Sequence, residues 1–357
     1  MSCTWDAPAG GAVPAAGIIG AVTFPKIELH VHLEGTVRAA TLLEIARRND
    51  VALPADTAEG LAGLYEFTDF AHFINVWMLT TSALRTAADF RQVVVDYAAE
   101  AASHGAVYIE GIFSPSEPVA RGAAWDDVFT GYCDGAAEAR ELHGVHVRLT
   151  PDVTRGMPLG VAEQTATYAV KYAGRGIAGL GLGGSEAEFA PERYARAFDI
   201  ARSGGLGSVP HAGEVAGPES VRGALDVLHA DRLRHGIRAI EDPGLVRELA
   251  ERGTVLDVCP ISNLRTRAVA SLAEHPLPAL VSAGVACSVS TDDPAMFGTD
   301  LSADYAVALE LGVSPADCFA AGVRGALCED TTREWLARIG TNYNWASVGP
   351  GAGAGRP

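Results

Sequence analysis

Four short stretches, far apart in the chain, carry residues able to bind a metal or move a proton: His30-Val31-His32, His211-Ala212-Gly213-Glu214, His235-Gly236 and Asp292-Asp293. Each lies where a Val/Ile/Leu-rich run meets a turn. His30 and His32 are two apart, which on a strand sends both imidazoles to one face. His30, His32, His211 and Asp292 together form an N/O donor set suited to one Zn²⁺, with a position open for water; Fe²⁺ or another divalent ion accepts the same donors. A water held there falls from a pKa of about 15.7 towards roughly 7, giving hydroxide at neutral pH. Glu214 and His235 are left over for proton transfer. Adjacent Asp292 and Asp293 repel unless one meets a cation and the other is protonated or hydrogen-bonded. Each motif alone has an ordinary reading, as a core histidine or a capping turn. One architecture that gathers all of them explains them together.

That architecture must bring distant strand ends to one place. Strand-like runs are Ile27–Glu34, Ala106–Phe113, His146–Asp152, Ile177–Leu182, Leu206–His211, Arg232–Ile237, Thr254–Pro260 and Ala286–Thr291. Helix-like segments alternate with them, among them Thr41–Asn49, Ala87–Ser103, Pro191–Ser203, Ser220–Leu228, Leu245–Arg252 and Leu272–Ala283. Eight such units predict an α/β fold, a (β/α)8 TIM-type barrel whose site lies at the C-terminal ends of the strands. A doubly wound open sheet is the rival, but it would not gather residues from the first, fifth, sixth and eighth strands so readily. The long connection between the first two strands predicts a helical insertion. Its aromatics Phe67, Phe70, Phe73 and Trp77 either pack on one another or line a lid over an apolar part of a substrate.

The formal net charge of −17 disfavours a nucleic-acid partner. The two lysines, Lys26 and Lys171, precede the first strand and lie in a helix-like segment. Neither is placed to bridge two metals, so one ion is expected. The six cysteines form no C-x-x-C pair and are expected as free thiols in a reducing compartment. The start lacks the cationic region of a leader, and no apolar run approaches a membrane span. A cytoplasmic protein with no membrane partner is expected, and an oligomer is compatible with the sequence. Residues 1–22 and 341–357 have the Ala/Gly/Pro composition of flexible ends, leaving 23–340 as a single barrel domain.

The blocks Pro25–Gly35, His211–Glu214, Arg234–Gly236, Cys259-Pro260-Ile261-Ser262-Asn263 and Ser290–Pro294 resemble, in order and spacing, the adenosine deaminase family of metal-dependent purine deaminases in the amidohydrolase superfamily. The resemblance implies one zinc ion and hydrolytic replacement of a purine 6-amino group by oxo, with purine nucleoside and water as reactants. It implies His30, His32, His211 and Asp292 as ligands, His32 also lying against the substrate. Glu214 is implied as the acid at purine N1, and His235 as the group that orients the attacking hydroxide and receives its proton. Asp293 is implied as a contact to N7 that helps position the water, and Gly184 (or Gly183, one register away) as a main-chain contact to N3. Glu34 stands where vertebrate members carry Asp facing the 5′ side of the ribose. Glu there is similar to the bacterial branch of adenine and aminodeoxyfutalosine deaminases, and the segments around Phe67–Thr81 and Glu110–Pro118 are most similar to the latter, which serve menaquinone synthesis. Aminodeoxyfutalosine bears a benzoate tail, for which the aromatics offer an apolar slot and Arg85 or Arg121 a cation. Adenosine, deoxyadenosine and adenine are the alternatives. Another metal-dependent hydrolase, or a non-catalytic barrel, is the rival from a different class. The unrelated cytidine-type zinc deaminases need a P-C-x-x-C, which the chain lacks.

Overall fold

The computed structural model describes residues 24–65 and 70–348, without the side chains of 70–74. Eight strands form one parallel sheet in sequential order: β1 (Lys26–His32), β2 (Ala106–Phe113), β3 (His146–Thr154), β4 (Gly179–Gly183), β5 (Gly207–Ala212), β6 (Arg232–His235), β7 (Val255–Val258) and β8 (Ala286–Val289). The ring closes where Val31 pairs with Asp292 in a parallel bridge. There the Asp292 N–H donates to the His30 carbonyl at 3.1 Å and the His32 N–H to the Asp292 carbonyl at 2.7 Å. The expected barrel is the observed fold.

The strands are buried on both faces, yet several alternate, as in Lys26-Ile27-Glu28-Leu29-His30-Val31 and Arg232-Leu233-Arg234, where apolar and polar residues are buried in turn. The outer faces of β2 and β3 pack on the helices Ala87–Ser103 and Trp125–His143, burying Phe90, Val93, Val94, Val128, Phe129 and Tyr132. Inside the barrel, buried Arg232 pairs with Glu110 at 2.7 Å and with Asp257. Removing one member of such a group would strand a charge in low dielectric.

Several boundaries differ from expectation. β1 ends at His32, and Leu33–Thr36 is a 3-10 turn. β8 stops at Val289, so Asp292 sits in the loop beyond it. Leu272–Ala283 is two pieces, a 3-10 turn Leu272–Glu274 and a helix Leu277–Ser282, parted at Pro276. Proline removes a donor and crowds the preceding turn. Lys26 opens β1 rather than preceding it; its Nζ donates to the His104 carbonyl at 2.5 Å, at the end of the strand away from His30 and His32. Packed chain continues past residue 340, where the expected tail began. A helix runs to Asn342, and Trp345 lies edge-on to Phe24 at 6.0 Å between centroids. Residues 1–22, the last nine residues and Phe67, with the side chains of Phe70 and Phe73, lie outside the described set. No helix among the described residues is long and apolar enough to cross a membrane.

Candidate metal and active site

β1, β5 and the loop after β8 bring four donors together at the C-terminal mouth of the barrel. His211 Nε2 lies 3.1 Å from both His30 Nε2 and His32 Nε2. Asp292 Oδ1 is 3.4 Å from His30 Nε2 and 3.3 Å from His32 Nε2. The inner nitrogens of two rings carry lone pairs. His211 Nδ1–H donates to the Leu182 carbonyl at 2.9 Å and His30 Nδ1–H points to the Asp257 carbonyl at 3.4 Å. Two lone pairs 3.1 Å apart with no proton between them require a cation. Donors bound to one ion at about 2.0–2.2 Å can stand no more than about 4 Å from one another, a limit the observed 3.1–3.4 Å separations meet. Burial lowers the pKa of His30 to about 3 and also lowers those of His32 and His211, leaving the rings neutral. Burial would raise Asp292, but attraction to any proton on the facing His30 ring outweighs it, so the carboxyl lies below its ordinary value and is the ionised member of the pair. Three neutral imidazoles and one carboxylate therefore fit a single divalent ion.

Neighbours hold these donors in place. Ser262 Oγ–H donates to Asp292 Oδ2 at 2.6 Å. Arg155 donates to the His211 carbonyl at 2.7 Å. Asp152 pairs with buried Arg234 and lies 3.5 Å from His211 Nδ1. Asp292 and His235 both occupy the left-handed region, at φ 67° and 60°. That conformation costs a non-glycine residue about 1–3 kcal/mol and tends to persist at functional sites.

Three acid/base groups face the donors. His235 Nε2 is 3.6 Å from Glu214 Oε2 and 3.7 Å from Asp292 Oδ2. Burial raises the pKa of Glu214, with Asp292 and Glu186 adding to it against His235. Asp293 is raised well above the ordinary value by burial and then by Asp292, and its Oδ1 has no hydrogen-bond partner. Both carboxyls thus keep a proton more readily than an ordinary carboxyl. Gly35 makes room for Asp293, since a Cβ at 35 would come within 1.8 Å of Oδ1. Gly184, at φ +96°, turns the chain out of β4 against Arg155.

The loop carrying Glu214 is tied down by a residue the sequence reading passed over. Buried Glu186 accepts from Gly213 N (2.5 Å) and Ser220 Oγ (2.5 Å) on one oxygen. On the other it accepts from Glu214 N (3.1 Å), Val215 N (2.9 Å) and Ala216 N (3.1 Å). Burial opposes its ionisation, but Ser220 and the N–H groups outweigh it and hold the carboxyl below its ordinary value. Ser262, Asn263 and His275 were likewise given no individual role. The Ser262-Asn263 pair just after β7 was the available signal.

Glu34 leaves the 3-10 turn after β1. Its Oε1 accepts from Ser114 N at 2.8 Å and Tyr132 Oη at 3.2 Å, while Oε2 has no partner. Burial raises it to about 7. Beside it lies a small cavity of about 20 Å³, room for about one water, lined by Trp77, Phe90, Glu117 and Arg121 among others. Of the two candidate cations, Arg121 lines this cavity and donates to the Thr81 carbonyl at 2.9 Å. Arg85, exposed like Arg121, is turned to the Ser82 and Asn49 carbonyls and does not line the cavity.

A family model described as adenosine deaminase matches residues 25–338. The chain is 52% identical over 331 residues to an aminodeoxyfutalosine deaminase of Acidothermus cellulolyticus, covering 91% of this chain and 93% of the relative. It is 40% identical to an adenine deaminase of Sphingopyxis alaskensis, covering 82% and 86%. The crystal structure of adenine deaminase from Arthrobacter aurescens superposes with a TM-score of 0.83 at 33% identity, covering 89% of this chain and 98% of that one.

Proposed function

The chain belongs to the adenosine deaminase family and is a hydrolase of C–N bonds, and from that premise we propose hydrolytic deamination of 6-amino-6-deoxyfutalosine, within menaquinone biosynthesis in the cytoplasm, as its reaction. Zinc is the ion we assign to His30, His32, His211 and Asp292, whose neutral nitrogens and single carboxylate suit it. Bound there, it supplies the acidity that makes a water nucleophilic at neutral pH.

The chain's own residues do the rest. Glu214, whose carboxyl is raised above its ordinary value by burial, donates a proton to purine N1 as oxygen adds at C6, and the carbon becomes tetrahedral. Asp293, also a donor, meets the lone pair of N7. Both hydrogen bonds draw electron density from the ring; one proton of the water ends on the amino group, which leaves as ammonia, and the other returns to Glu214 as C6 becomes oxo. Gly184 offers main chain to N3, His32 borders the ring, and His235 faces the point of attack. Purine and water are then the reactants and ammonia the leaving group.

The relative at 52% identity over most of both chains, an aminodeoxyfutalosine deaminase, is the observation that carries the choice of substrate. Trp77, Phe90 and Arg121 gather beside Glu34, offering apolar walls and a charge for a tail carboxylate once the small cavity there opens. Adenine deamination is the second reading, favoured by the relatives and solved structure of that name.

Steady-state rates on aminodeoxyfutalosine, adenosine, deoxyadenosine and adenine, followed by the ultraviolet change at C6, test the assignment. The first should have the highest kcat/KM. Arg121→Ala should lower its kcat/KM relative to adenosine by about 10-fold or more, the size of one lost charged hydrogen bond. Preference for adenine, or an unchanged ratio in the variant, would overturn the choice of substrate.

A further inference from the structure

His235 is the end of a buried hydrogen-bond chain that starts on main chain. The Leu277 N–H, at the first turn of the helix Leu277–Ser282, points to His275 Nδ1 at 3.1 Å. A backbone N–H can only donate, so Nδ1 of His275 carries a lone pair and the ring proton is on Nε2. That nitrogen lies 3.2 Å from Asn263 Oδ1, to which it donates. The amide orientation is thereby set, and Asn263 Nδ2 faces His235 Nδ1 at 3.1 Å as a donor. Reversing any link would set N–H against N–H. His275, Asn263 and His235 are all buried, so water does not substitute for a lost partner. Burial also lowers the pKa of His275 to about 4, which keeps a second proton off the ring.

We infer that His275 and Asn263 are a positioning pair that fixes His235 in one tautomer, with its proton on Nε2 and directed at the point of attack. Of the two carboxyl oxygens nearest Nε2, Glu214 Oε2 at 3.6 Å and Asp292 Oδ2 at 3.7 Å, that of Asp292 belongs to the group held below its ordinary value and suits a donor there. His235 therefore meets the attacking oxygen first as a hydrogen-bond donor. The resemblance assigns it the further task of receiving a proton, which Nε2 does not perform until it has given up the one it holds. The functional meaning rests on the deaminase reading; the tautomer itself does not.

Nitrogen-15 NMR of the zinc-loaded, histidine-labelled protein tests this without substrate, with His235→Gln identifying the signals. The expected result is a protonated Nε2 and a lone-pair Nδ1 on His235. His275→Ala should abolish the single tautomer and lower kcat by about 10-fold at unchanged KM, the effect of one misdirected hydrogen bond. His275→Gln, which keeps an N–H for Asn263 Oδ1, should restore most of both. A protonated Nδ1 in the parent overturns the inference, as does an unaltered His235 spectrum in His275→Ala. If that variant fails to fold, the parent spectrum alone decides. A protein that shows the expected tautomer but deaminates no purine would sink the proposed function and leave this inference standing.

Discussion

Replacing Glu186 by glutamine removes one acceptor from a carboxylate that serves five donors. The least damaging orientation puts the new amide nitrogen at Oε1, because Ser220 can rotate its hydroxyl to accept. Gly213 N–H is then orphaned, at about 1–3 kcal/mol. The three N–H groups on the surviving oxygen lose a charged partner, at about 1 kcal/mol each. A neutral amide is easier to bury than a carboxylate, which offsets part of this. The hold on the loop weakens by about 3–4 kcal/mol. Glu214 is fixed through its own N–H in this set, and displacing a reacting group by about 1 Å costs on the order of 100-fold in rate. We expect Glu186→Gln to lose about 100-fold in kcat while keeping the parent's metal content, with faster amide exchange at Gly213–Ala216. The hold also has a pH sign. A carboxyl whose folded pKa is below its unfolded value stabilises above that value, 4.5, and loses the contribution as the pH falls through the folded pKa. The variant should lack this acid-side loss. Parent-like kcat with parent-like exchange would refute the reasoning.

Other outcomes follow from the same geometry. Glu214→Gln should keep the metal and lose about 10²–10⁴-fold in turnover; near-parent turnover would remove it as the acid. Chelation should abolish activity and added Zn²⁺ restore it, whereas turnover in metal-free protein would dismiss the four donors from the reaction. Burial raises Glu34 from 4.5 to about 7, so its contribution to stability is complete below 4.5 and is lost as the pH rises through 7. Glu34→Gln should flatten the fall of the thermal midpoint between about pH 5 and 8; an equal slope in both proteins would show that Glu34 is already ionised.

The barrel was legible because Val, Ile and Leu recur in short runs at regular intervals between helix-like segments, and because a histidine or acid marked where several runs ended. The helix Ala87–Ser103 matches its expected span. The donor types and their strand-end placement could be read from His30, His32, His211 and Asp292 one at a time. What could not be read is the supporting contact between segments whose sequences say nothing of each other. Glu186 reaches a loop 27 residues on, and nothing local distinguishes it from a solvated glutamate. His275 fell inside the expected helix Leu272–Ala283, and nothing in that segment points to its partner, Asn263. Only the fold separates Arg121 from Arg85, since both are lone arginines near the ends of helix-like segments. The splitting of Leu272–Ala283 was visible in Pro276, and tertiary packing rather than propensity set the remaining boundaries.

Val31 and Asp292 form the stitch between the first and last strands, and the main-chain bonds of that stitch belong to His30, His32 and Asp292 themselves. Ion uptake and ring integrity are therefore a single event, one fastening seen from its side chains and again from its backbone. A cation gripped by these residues acts as a clasp on a hoop, and mass action makes the hoop sturdier by about 4 kcal/mol at a thousandfold excess over Kd. Stripping the ion should loosen the first and last strands before the middle of the sheet. The protein's metal supply would then govern its lifetime as well as its chemistry.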